Sequence, residues 1–104
     1  MTIATTDVGN SATTIFTSSG NTAITFASFC NFSASAVSIT IHVVPNGESV
    51  GNSTTAIKDL VINGTDTYQL YDGPEKLLLA NGDIISCTAN TASAITSIVS
   101  STAI

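Results

Sequence analysis

The groups able to do chemistry are few: one histidine, His42, and two cysteines, Cys30 and Cys87, in 104 residues. A metal site needs three or four converging ligands, and neither cysteine lies at ligand spacing from His42. The expectation for this histidine is a half-exposed or interface position. The one G-x-S-x-G string, Gly47-Glu48-Ser49-Val50-Gly51, falls in a turn and loop stretch and not between a strand and a helix, where a nucleophile of that type must sit, and P-loop, G-x-G-x-x-G and C-x-x-C patterns are missing. The reading is a protein that is not an enzyme, with no catalytic, cofactor-binding or metal-binding residues. The acidic side chains Asp59, Asp66, Asp72, Glu75 and Asp83 fit no EF-hand loop, so turn and surface duty is expected of them. Calcium held between Asp72 and its neighbours is the best of the lesser options. Within Gly82-Asp83-Ile84, the carboxylate should accept backbone N–H bonds in a turn. Tyr68 and Tyr71 stand close together and, with His42, are the candidate interface residues. As an alternative they could stack on sugar rings, although the chain has no Trp to widen such a shelf.

The composition limits the partners. Charged residues make up 9% of the chain, against about 25% in an ordinary domain. Seventeen Thr and fourteen Ser take their place. Only Lys58 and Lys76 are basic, there is no Arg, and the net charge is −5. Such a surface offers phosphates nothing, so nucleic acid is not an expected partner. No run reaches the roughly 18 apolar residues of a membrane span. The first residues lack the basic start and apolar run of a signal peptide. A soluble protein made in a host cytoplasm is therefore expected, with Cys30 and Cys87 as buried thiols and a bridge between them left open.

The elements that must position these groups are strands. Thr is β-branched and fits a pleated sheet, whereas Ser and Asn favour turns. Residues 36–44 are the clearest case: Val37, Ile39, Ile41 and Val43 alternate with Ser38, Thr40 and His42, the period of a half-buried strand. Pro45-Asn46-Gly47 ends it. Further strands are predicted at 13–18, 22–32, 56–62, 65–70, 77–79, 84–89 and 93–100, with a long loop at 50–55. The turn at 31–35 should make the second and third strands antiparallel neighbours. Asn63-Gly64 reads as a hairpin turn, and 84–89 should pair with 93–100 through Asn90-Thr91-Ala92. The fold class is all-β: an antiparallel β-sandwich or jelly-roll-like barrel of about eight short strands in one domain, 1–104. Residues 1–10 form a possible extended N-terminal arm.

The stretch Ser38-Ile-Thr-Ile-His-Val-Val-Pro-Asn-Gly47, then Gly64-Thr65, Leu77-Leu-Leu-Ala-Asn-Gly-Asp-Ile-Ile-Ser86 and Ala94-Ile-Thr-Ser-Ile-Val99 resembles small structural proteins of tailed-bacteriophage virions. The likeness covers roughly 36–100, rests on short turn motifs, and leaves Cys30 and Cys87 outside the pattern. It implies a capsid decoration (cement) protein, or otherwise a neck, tail or fibre component. Its partners would be major capsid, neck or tail subunits and further copies of itself, a trimer being favoured, and its location the virion. The rival expectation is a carbohydrate-binding or adhesive β-sandwich module around Tyr68, Tyr71 and Asp72.

Overall fold

The computed structural model describes residues 2–70 and 76–104. Nine strands occur among them: β1 (Thr2–Val8), β2 (Thr13–Thr17), β3 (Thr22–Asn31), β4 (Val37–Val44), β5 (Thr55–Ile62), β6 (Thr67–Leu70), β7 (Leu77–Leu79), β8 (Ile84–Ala89) and β9 (Ile95–Ala103). A single 3₁₀ turn, Asn52–Thr54, precedes β5 inside the predicted loop.

All pairings are antiparallel and form two sheets. The first runs β1-β9-β3-β6, with β7 also on β3; the second runs β2-β8-β4-β5. Because β9 lies along one side of β3 for its whole length, β6 and β7 follow each other on the other side, opposite 27–30 and 22–24. Taken as one interrupted strand, they bring the count to eight. Consecutive strands then cross from sheet to sheet except β4 and β5, which pair within the second sheet, the double Greek-key order of a jelly roll. The residues read as a possible arm include β1, which is extended but lies along β9 as an edge strand, with Val8 buried in the core.

The sequence-based strand positions are found, but three of the expected neighbours are not. β3 and β4 lie in different sheets, as do β5 and β6, and β8 and β9. Of the expected hairpins, 31–35, Asn63-Gly64 and Asn90-Thr91-Ala92 are all crossovers. At the second, a turn does form, with the Asp66 N–H donating to Asn63 O at 3.1 Å, but Thr65 takes the positive φ of 62°. Gly64 serves close approach instead: a Cβ there would stand 2.4 Å from the carbonyl oxygen of Ala34. The turn chemistry was real, but it passed the chain over the sandwich edge rather than back along it.

Between the sheets lies one core cluster, including Ile24, Phe29, Ile39, Ile41, Ile95 and Val99, with Tyr68 and Leu70 packed against it. Alternation puts these side chains inward and leaves Thr and Ser outward. Polar side chains serve as ties at the ends of the sandwich. The fully buried Asn31 donates through Nδ2 to Ser35 O at 2.8 Å and Ile62 O at 2.9 Å. Its Oδ1 accepts the N–H and hydroxyl of Ser33. One amide thereby joins two crossovers. At the opposite end, the Asp83 carboxylate accepts Asn46 N–H and Ala80 N–H, each at 2.8 Å. Asn81 Oδ1 accepts Gly20 N–H at 2.8 Å, so three loops are fastened together.

Candidate functional site

The side chains that carry reactive groups are not gathered. His42 does point to the outer, polar side of β4, but it is 8% exposed rather than half-exposed. The segment that follows β4 folds back over it. Thr54 Oγ1 lies 3.5 Å and Thr55 Oγ1 3.3 Å from His42 Nδ1, and Thr54 Oγ1 also donates to backbone carbonyls of 49 and 51. A ring covered this way is held by hydroxyls. Its period-2 position was legible in the sequence; the covering turn 10 residues downstream was not.

Tyr68 lies opposite Phe29 on the inward side of β6 and, half-buried, packs on the core. Tyr71 and Asp72, and with them the proposed calcium option, lie outside the described residues. Among the described residues no three His, Cys, Asp or Glu side chains come together as a metal site. The two thiols are free and face different ways. Cys87 is in the core, where burial pushes its pKa up to about 12. Cys30 belongs to the outer face of the first sheet, in register with Thr96 and Thr67.

The cavities are small. One of about 10 Å³ sits in the core among Ile15, Phe29, Ile41 and Val99; it is apolar and barely water-sized, a packing gap. Another of about 190 Å³ opens between the β1 and β2 ends, lined by Thr2, Phe16, Thr17, Ser19, Thr22, Ser101 and Ala103. It falls below the roughly 300 Å³ at which ligand pockets begin, and no ionisable side chain lines it.

What the fold does present is a surface. The outer face of the first sheet can be read in rows from the register. Ile3, Ser100 and Phe26 make one; Thr5, Ile98, Ser28 and Gln69 the next; Asp7, Thr96, Cys30 and Thr67 a third. Thr102, Ala23 and Leu78 form a fourth. Ile3 is 70% and Leu78 65% exposed, and Asp7 is the only charge in the four rows. Ala23 and Ser28 within it are buried among their neighbours, while Ile3 and Leu78 stand exposed on its edge strands. Sequence reading missed the face because it depends on which strands are neighbours. The signal it lacked was the crossover topology.

No protein-family model matches the chain, and no curated protein matches it in sequence. The class that the strand order defines is therefore the whole identification: a small antiparallel jelly-roll sandwich.

Proposed function

We propose that this chain is a structural virion protein that binds between coat or tail subunits, most simply a capsid decoration or cement protein and otherwise a neck, tail or fibre part. The observation that carries the reading is the weakly charged outer face of the first sheet, whose rows hold hydroxylic and apolar side chains and one carboxylate. A free-standing monomer keeps solubility with mixed charge; this face is suited to being covered. Jelly rolls recur in viral capsid and lectin domains, which supports the reading at the level of fold while leaving function to the surface. A four-strand face, about 19 Å wide at 4.8 Å per strand and about 30 Å long, provides on the order of 570 Å² per side. Contacts of that size are individually modest, and a symmetric ring of them gains strength by avidity. The closed core and inward Tyr68 leave the carbohydrate-binding alternative without a shelf among the described residues.

The test is co-expression with coat proteins of tailed bacteriophages that assemble into shells. The chain should sediment with assembled shells at a fixed stoichiometry, and Phe26→Asp on the outer face should release it. A chain that stays in the supernatant with shells present contradicts the proposal.

A further inference from the structure

Sandwich proteins blunt their open sheet edges, because an unpaired row of N–H and C=O groups is a template for another strand. The described strands leave four such edges, and three are blunted. β5 has two register shifts against β4, carries Lys58 and Asp59, and holds Asp59 at φ 53°. β2 is five residues long and broken by a shift between Thr14 and Phe16. The edge made by β6 and β7 comes in pieces of four and three residues. β1 has neither a register shift nor a break, and carries a single charge. Its seven residues run in unbroken register on β9, without Pro or Lys and with one charge, Asp7.

We propose that a second copy of the chain occupies this edge, β1 adding antiparallel to β1 across a two-fold axis so that the two outer sheets become one. The strand's own pattern selects the partner. A two-fold axis at Thr5 is the register that pairs all seven residues, and it keeps faces matched: Ile3, Thr5 and Asp7 outward, Thr2, Ala4, Thr6 and Val8 inward. Ile3 then faces Asp7 of the other copy, and Thr5 faces its own counterpart. The two Asp7 carboxylates sit four residues apart along the ribbon, about 14 Å, beyond a Debye length of about 8 Å at physiological salt. Pairing satisfies the exposed edge with about six to eight backbone hydrogen bonds. It also extends the uncharged outer face past Ile3 into the neighbouring copy. The contact is isologous and closes as a dimer; the trimer implied by the resemblance would need a head-to-tail contact that this edge does not make. The inference goes beyond the virion reading, since either stands if the other fails.

The test is sedimentation velocity of the full chain across a wide concentration range, with wild type expected to reach twice its 10.5 kDa mass. Thr5→Lys sets two lysines directly opposite each other across the axis, with Cβ atoms about 5 Å apart, and should weaken dimerisation about ten-fold or more; Thr5→Glu should do the same. Mixing the two variants should restore a dimer by pairing opposite charges. Thr67→Lys, exposed at the far edge of the same sheet, should leave assembly unchanged. Thr5 is exposed on the outward side of β1, and amide protection in β9 checks that the fold persists in each variant. A wild type that is monomeric throughout, a Thr5→Lys chain that assembles like wild type, or a mixture no tighter than either variant alone would overturn the proposal.

Discussion

Replacing Gly64 by alanine separates two physical readings of the same residue. If Asn63-Gly64 were an ordinary flexible turn tolerant of a side chain, Gly64→Ala would stabilise by about 0.4–1 kcal/mol through the unfolded chain. The structure gives the opposite sign. The new Cβ would lie 2.4 Å from Ala34 O, 2.5 Å from Ala34 C and 3.0 Å from Ser35 N, all backbone atoms. They cannot swing aside as a side chain would. Thr65 N–H donates to Ser33 O at 3.0 Å, and Asn31 fastens both crossovers. Overpacking of this kind costs about 1–3 kcal/mol, and the rigidity of the neighbours argues for the upper half, about 2–3 kcal/mol. Urea unfolding at equilibrium measures it: with m near 1–1.5 kcal/mol/M for a small domain, the midpoint should fall by roughly 1.5–2.5 M. The companion variant Thr65→Gly removes a β-branched residue from φ 62° and should be neutral or stabilising by up to about 1 kcal/mol. A Gly64→Ala protein as stable as wild type, with unchanged m, would refute the close-approach argument.

Two more outcomes follow from buried groups. Asn31→Ala removes the donor to the Ile62 carbonyl and the acceptor of the Ser33 N–H, while the Ser35 carbonyl keeps the Ser33 hydroxyl, and should lose about 2–4 kcal/mol in the same assay; Asn31→Asp should be no better, since it retains the acceptor and lacks the Nδ2 donors. Cys87 has its pKa raised from 9.0 to about 12 in the folded chain, so the unfolded chain alone gives up the proton between those values. Its contribution to stability is complete below pH 9 and should fall above it by up to about 1.4 kcal/mol per pH unit; Cys87→Ala should remove that part of the slope in urea midpoints measured from pH 8 to 11. In the native protein a thiol reagent should titrate Cys30 and reach Cys87 only on unfolding.

Strands were legible here because their pattern is local. Val37, Ile39 and Ile41 alternate with hydroxylic residues, and all three proved buried in β4. The role of Asp83 was legible for the same reason: its acceptor oxygens serve N–H groups in and beside its own turn, though the reach to Asn46 came only with the fold. Strand partners were not legible. Asn63-Gly64 and Asn90-Thr91-Ala92 have the chemistry of tight turns whether the chain doubles back within a sheet or crosses to the other one. The choice is made by nonlocal pairing, β9 lying between β1 and β3 from opposite ends of the chain. His42 was placed on the correct side of β4, but its burial depends on a turn whose own sequence, Asn52-Ser53-Thr54, gives no hint of where it folds. The outer face was invisible for the reason the hairpins were misread: a face exists only once its strands have neighbours.

The most direct measurement is a reconstruction of tailed-bacteriophage particles that have bound this chain. The account expects jelly-roll density at joints between coat or tail subunits, with the face carrying Ile3, Phe26 and Ile98 turned into the contact. Particles without such density, or with that face turned to solvent in every copy, would contradict it.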